Sequence, residues 1–132
     1  MQAASGKRQA RNYRELIAFK KADALVLRVY TATASFPPDE RFGLTNQLRR
    51  AVISIASNIV EGCSRQSDRD FARFLEIAHG SADEVAYQLS IAHRLGFKGL
   101  PGELVEQAEE VSRVLSGLIS SLPLAACRLE RS

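Results

Sequence analysis

Between Phe71 and Ala92 the apolar residues Phe71, Leu75, Ala78, Ala82, Val85, Leu89 and Ala92 fall at alternating steps of four and three. That spacing holds one stripe on one side of an α-helix for about six turns. A strand would need alternation at every second residue, so no strand fits here. A long helix with such a stripe is the packing seam of a helical bundle. Phe74, Ile77, Ser81, Gln88, Ile91 and Leu95 form a second row beside the first, so this helix should touch more than one neighbour.

The same rhythm returns near the C-terminus in Leu104, Ala108, Val111, Leu115, Leu118 and Leu122, with Glu103, Glu106, Glu109 and Glu110 on other faces. Upstream, the stretch Arg41–Val60 carries a core face of Leu44, Leu48, Ala51, Val52, Ile55 and Ile59. From Ala51 to Val60 it holds no charged side chain, and Ile53 and Val60 widen its apolar arc. A helix apolar around most of its girth is buried around most of it. Because one neighbouring layer covers one side, the second cover is expected from other copies of the chain. Ser54, Ser57 and Asn58 lie three or four apart on another face, where small polar groups let helices approach closely and set register.

Punctuation divides the helices. The first is expected from Glu15 to about Ser35, with a stripe of Ala18, Ala22, Leu25, Val26, Val29, Tyr30 and Thr33. Phe36-Pro37-Pro38 stops it, since proline lacks an amide donor and disfavours helical geometry in the preceding residue. Asp39 and Glu40 suit the positive end of a second helix that starts near Leu44 and exits at Gly62. Ser67 with Asp70 resembles a capping box opening the third helix, which runs to about Leu95. Pro101 suits the first position of the fourth helix, and Pro123 ends it. Short connections between four helices predict an all-α, up-down-up-down antiparallel four-helix bundle over residues 15–122. Residues 1–14 read as a flexible basic arm and 123–132 as a C-terminal tail.

Composition bounds function as well. At 132 residues with 45% hydrophobic and 25% charged side chains, the chain is one ordinary globular domain. Every apolar run is interrupted by charge well short of a membrane span, and the N-terminus has no apolar signal region. Cys63 and Cys127 have neither metal-ligand spacing nor a disulfide framework, so a reduced, cytoplasmic protein is expected. Net charge is +3, but residues 1–66 hold 11 Lys/Arg against 5 Asp/Glu, whereas residues 67–132 hold 7 against 10. Such asymmetry fits either a basic surface for nucleic acid or solvated helix faces plus a basic arm.

The sharpest enzymatic pattern is Glu76-x-x-His79, half of a di-iron signature. The other histidine, His93, has Ser90 three residues before it, so the second half is missing. His79 and His93 stand about 21 Å apart along one helix and cannot share a ligand. Cys63 beside Arg65 is the one candidate for an activated thiol, although no histidine lies near it in sequence. No phosphate loop, nucleophile elbow or metal cluster occurs, and neither a cofactor nor a small-molecule substrate is indicated. A non-enzymatic protein is expected.

Binding residues stand out better. Arg65, Arg69 and Arg73 surround the turn between the second and third helices, and Lys7, Arg8, Arg11 and Arg14 populate the arm. Guanidinium groups suit phosphate and bidentate carboxylate pairs alike, so the Arg65, Arg69 and Arg73 row stays open between the two roles. Arg49, Arg50, Ser54, Ser57, Asn58 and Glu61 are candidates for packing within the bundle or between subunits, with Arg50 and Glu61 expected in ion pairs. Asn58 must find partners if buried, since an unsatisfied amide costs about 1–3 kcal/mol.

Phe36-Pro37, Glu40-Arg41-Phe42-Gly43-Leu44-Thr45, Gln47-Leu48-Arg49-Arg50-Ala51, Ser54-Ile55, Ser57-Asn58-Ile59 and Glu61-Gly62 together resemble the signature of one family. Phe74-Leu75, Ile77-Ala78, Gly80-Ser81 and Gln88-Leu89 continue it. This is the four-helix bundle family that includes the 23S rRNA intervening-sequence proteins. The likeness covers residues 15 to 97, while the fourth helix and the termini match by pattern only. Val60 replaces a frequent alanine, and Cys63 falls at a variable position. The resemblance implies a left-handed up-down bundle assembled into a homopentameric ring. It implies binding to RNA or to protein more loosely than it implies fold, since the family's biochemical role is unsettled and a distantly similar bundle serves diversity-generating retroelements beside a reverse transcriptase and nucleic acid. It carries over no catalytic residues. The sequence thus points to an oligomeric bundle that binds RNA or a ribonucleoprotein through arginines, with a protein-interaction scaffold as the alternative.

Overall fold

The computed structural model describes residues 11–123, and within them the chain is all-α, with no strand. Four long helices follow in order: α1 (Ile17–Thr33), α2 (Leu44–Cys63), α3 (Asp68–Arg94) and α4 (Leu104–Ser120). No helix among the described residues is long and apolar enough to cross a membrane. Each helix packs on two others, α1 and α3 both resting on α2 and α4. Positions that rise along α2 meet positions that fall along α3, as Gln47 with Gln88, Ser54 with Ser81 and Gly62 with Phe71.

The expected stripes point inward. Leu25 and Val29 of α1, Leu48, Val52, Ile55 and Ile59 of α2, Leu75, Val85 and Leu89 of α3, and Leu104, Val111 and Leu115 of α4 are fully buried. Truncating any of these leucines to alanine would cost about 2–5 kcal/mol in transfer and cavity terms. The last core place on α4 belongs to Ile119, while Leu118 and Leu122 are half-buried. Tyr30, placed in the α1 stripe by spacing, turns outward, and the guanidinium of Arg49 lies 4.6 Å from its ring centroid. The second row of α3 is mixed: Phe74, Ser81 and Gln88 meet α2, with Gln88 buried, but Ile77 and Leu95 are exposed.

Part of the girth of α2 is covered within the chain. α1 and α3 flank it, Ser54 bonds to Ser81 of α3, and Asn58 bonds back to Ser54 on α2 itself. Ile53 is the one large apolar side chain of α2 left exposed.

Helix ends follow local chemistry, with some shifts. α1 starts two residues later than its stripe suggests, because Tyr13–Glu15 forms a separate 3-10 turn and Leu16 is extended between them. The Asn12 side chain accepts from the Arg14 amide and caps that turn. The segment from Arg11 to Arg14 is therefore built into the fold rather than being part of a free arm. At the start of α2, Glu40 Oε1 accepts from the Leu44 amide at 2.9 Å. Ser67 caps α3 by accepting from the Asp70 amide at 3.0 Å. At the far end of α3, Gly96 adopts φ +74°, and the Phe97 and Gly96 amides reach back to the carbonyls of Ala92 and His93. This is a Schellman cap, which favours glycine at the left-handed position. It turns Phe97 onto Phe36, with ring centroids 5.0 Å apart. Pro101 sits outside α4, its carbonyl accepting from the Leu104 amide in a preceding turn.

α1 and α4 are joined by charge as well as by apolar packing. Arg28 pairs with Glu103 at 3.1 Å, and Lys21 lies 3.6 Å from Glu110. The acidic side of α4 thus faces a basic side of α1. Glu103 is held below its ordinary value by hydrogen bonds from its own backbone amide and from Arg28. Glu110 is held low by Arg113 first and then by Lys21.

Candidate functional site

The turn from α2 into α3 gathers most of the arginines picked out by sequence. Gly62 makes the junction tight, since a Cβ there would stand 3.0 Å from Phe74 Cβ and 3.2 Å from Phe71 Cδ1. Phe71 is buried and Phe74 half-buried beside this junction, and both rings carry guanidinium groups. Arg65 and Arg73 lie 4.9 and 4.8 Å from the Phe74 centroid. Arg11 lies 4.1 Å from the Phe71 centroid. Cation–π contacts of this kind hold flat guanidinium faces against rings and leave N–H edges for acceptors.

The arginines are not equivalent. Arg11 has a side chain only 17% exposed, pairs with Asp68, and donates to the Arg65 carbonyl at 3.1 Å. Its own amide bonds to the Cys63 carbonyl. It is a clamp that closes the α2–α3 turn against the 3-10 turn, an internal role the sequence did not announce. Arg65 pairs with Glu61, and Arg73 lies 3.7 Å from Asp70, yet their side chains stay 41% and 60% exposed. Arg69 is exposed and makes no ion pair among the described residues. Arg14 is exposed with its guanidinium over Tyr13. Lys7 and Arg8 lie outside the described residues, as does Cys127.

The packing candidates split in the same way. Arg49 ties α2 to the end of α1, donating to Thr33 Oγ1 at 2.8 Å and to the Tyr30 carbonyl at 3.3 Å. Asn58 donates to the Ser54 carbonyl and hydroxyl, and Ser54 meets Ser81 of α3 at 2.9 Å. Glu61 takes Arg65 rather than Arg50 as its partner, because the turn brings Arg65 back one helical step away. Arg50 is exposed and makes no ion pair among the described residues, and Ser57 is exposed. Arg50 instead lines a cleft of about 380 Å³ between α2 and α3, with Glu84 on the opposite wall.

A Ser–His–Asp cluster that sequence reasoning missed joins α3 to α4. Ser112 Oγ donates to Asp83 at 2.6 Å and lies 3.1 Å from His79 Nε2, while His79 Nδ1 is 3.8 Å from Asp83. In this arrangement the Ser112 hydroxyl is shared between a carboxylate and an imidazole. The amides around Ser112 are committed inside α4, so no oxyanion donors face the hydroxyl. The cluster is a crosslink between helices. Among the described residues no three His, Cys, Asp or Glu groups converge to hold a metal ion. Cys63 is buried, and burial pushes its thiol above the ordinary value against a weaker opposing pull from Arg11. Cys63 is thus a small buried residue at the turn and not an activated thiol, since a nucleophilic cysteine needs a lowered value and access.

The fold and these sites define an all-α, four-helix protein with an arginine–aromatic cluster at one helix turn and a polar cleft along one side. More particularly, the chain matches the family described as 23S rRNA-intervening sequence protein over residues 14–117, and it belongs to that family. The match takes in α4, which by sequence had agreed only in pattern. A crystal structure of a protein of unknown function from the S23 ribosomal protein family of Bacteroides thetaiotaomicron is similar, with a TM-score of 0.67 at 24% identity. That likeness covers 80% of this chain and 96% of the other, and at such identity it speaks for the fold. No curated protein matches the chain.

Proposed function

We propose that this chain is a non-enzymatic, up-down-up-down antiparallel four-helix bundle that binds RNA through the arginine cluster at the α2–α3 turn. The observation that carries this reading is the set of partly exposed guanidinium groups of Arg65 and Arg73, both resting on Phe74, with exposed Arg69 between them in the chain. Rings that hold guanidinium faces leave N–H groups besides those bound to Glu61 and Asp70 for phosphate oxygens, although Arg65 Nε itself is buried. Arg14 extends the same surface, and Lys7 and Arg8 precede Arg11 closely enough to reach it, at no more than about 14 Å of extended chain. Arg11 is excluded from this set by its own internal partners.

Assembly into a homopentameric ring belongs to the same reading. The exposed apolar side chains Ile17 and Leu27 of α1 support a contact between copies there, leaving the arginine cluster and the α2–α3 cleft open. A ring would present several weak basic patches to one long RNA and raise its apparent affinity.

The test is fluorescence anisotropy with a labelled single-stranded RNA over a range of salt. Changing Arg65, Arg69 and Arg73 together to Gln should abolish binding at moderate salt and lower the salt slope by about 2, near 0.7 for each phosphate no longer neutralised. Unchanged affinity and slope would overturn the assignment and favour a polypeptide partner.

A further inference from the structure

The polar cleft between α2 and α3 has walls that the packing of the helices does not explain. Gln47, Arg50 and Ser54 line it on α2 at steps of three and four, Ser81 and Glu84 line it on α3, and buried Gln88 follows one turn beyond Glu84. The α2 wall is thus about 10 Å long. At one end Ser54 and Ser81 close the cleft with their 2.9 Å hydroxyl contact, their small side chains leaving the hollow above them. At the other end stands Gln88, only 6% exposed.

Gln88 sets the chemistry of that end. Its single amide nitrogen donates to Gln47 Oε1 at 3.3 Å and to Glu84 Oε2 at 3.2 Å. Two acceptors on opposite walls are therefore held by one buried amide. The reverse orientation would set a carbonyl against a carboxylate and against another carbonyl. In the observed one, Gln88 Oε1 is buried with no partner among the described residues. An unmade hydrogen bond of that kind costs about 1–3 kcal/mol. Arg50 completes the arrangement, facing the same hollow as Glu84 without pairing with it or with another described acid. One cation and one anchored anion thus line a cleft of about 380 Å³, within the size range of small-molecule sites.

A fitting ligand carries an anionic group at one end and adjacent N–H donors at the other. Among nucleobases only guanine offers two neighbouring donors, N1–H and N2–H, to a carboxylate. Adenine and cytosine pair one donor with an acceptor, and uracil sets one donor between two acceptors. Single-stranded bases are read on this edge. We propose that the α2–α3 cleft is a guanine-nucleotide subsite, in which Glu84 accepts from the N1–H and N2–H edge and Arg50 receives the phosphate. Within a longer RNA the subsite adds base preference to the sequence-tolerant arginine cluster, and in that setting it rests on the RNA-binding reading. A free mononucleotide tests it without that reading.

The experiment is calorimetric titration of the full chain with GMP and with AMP, beside anisotropy of matched oligonucleotides that contain or lack guanosine. GMP should bind at least about tenfold more tightly than AMP, the discrimination expected of a bidentate base contact. Glu84→Gln should erase that preference, and Arg50→Gln should weaken both nucleotides. Both side chains are exposed, so circular dichroism should show the variants folded like the parent. Equal binding of GMP and AMP, or none of either, would overturn the proposal even if the oligonucleotides bind through the arginines. GMP binding that survives in the Arg65, Arg69 and Arg73 variant, with RNA binding abolished, would support two separate sites. GMP selectivity in a chain that ignores RNA would keep the subsite and refute the RNA-binding reading.

Discussion

Replacing Gly62, Gly80 and Gly117 by alanine, one at a time, should give opposite signs for the same chemical change. All three glycines lie inside helices, Gly62 in the last turn of α2 and the others within α3 and α4. Where the new methyl meets nothing, Gly→Ala in a helix gains up to about 1 kcal/mol by restricting the unfolded chain and covering the backbone. Gly80 and Gly117 have no atom within 4 Å of the added Cβ, so each should gain about 0.5–1 kcal/mol. At Gly62 the methyl would meet Phe74 Cβ at 3.0 Å, Phe71 Cδ1 at 3.2 Å and the Phe71 carbonyl at 3.4 Å. Two of those atoms are anchored to the α3 backbone, so relief requires the helices to part. Overpacking of that kind costs about 1–3 kcal/mol, and the propensity gain is smallest in a last turn. A net loss of roughly 1 kcal/mol follows, separating Gly62→Ala from Gly80→Ala by about 2 kcal/mol. Urea unfolding at matched concentration should show shifted midpoints with constant slopes, and melting temperatures about 8 °C apart. Equal stabilisation by all three substitutions would refute the close α2–α3 approach at Gly62.

Other expectations are independent of this approach. Arg11→Ala should destabilise the fold by about 1–3 kcal/mol because it removes the donor to the part-buried Arg65 carbonyl and the ion pair with Asp68, whereas Arg69→Ala should leave the urea midpoint unchanged. Equal midpoints for the two variants would sink the clamp. Glu103 and Glu110 are both held below the ordinary 4.5. The unfolded chain therefore takes up protons first, and their contribution is complete above that value and lost as pH falls through the lower native values. Changing both to Gln should flatten the acid side of the stability–pH curve, and an unaltered curve would remove the α1–α4 ion pairs from the account. Ile17→Lys with Leu27→Lys should reduce the mass seen by light scattering, while an unchanged oligomer would move the contact between copies off α1.

Much of the architecture was legible in residues taken a few at a time. The heptad steps of α3 and α4, the prolines after Phe36, and the Ser67 cap act within one or two turns, so they could be read before any fold was known. The Schellman cap after α3 is local in the same way, using only Ala92 to Phe97. The arginine row around the α2–α3 turn was also visible, because the turn makes sequence neighbours into spatial ones. What could not be read was which side chain answers which across helices. Arg11 resembled every other basic residue of its arm until Asp68 and Phe71 were placed beside it. His79 and Asp83 share a one-turn step on α3, but Ser112 comes from α4 and nothing local ties it to them.

The amino-acid sequence by itself determined that this chain forms four amphipathic helices, roughly where each begins and ends, and which family it belongs to. Periodicity, caps and breakers are short-range effects with energies set by neighbours in the chain. Only the tertiary structure decided that Arg11 is a clamp, that Glu103 and Glu110 hold α1, and that Gln88 orders two acceptors across a cleft. These depend on how each helix is rotated about its axis against its neighbours. That rotation is fixed by burial of the whole core at once and leaves no local trace in the sequence.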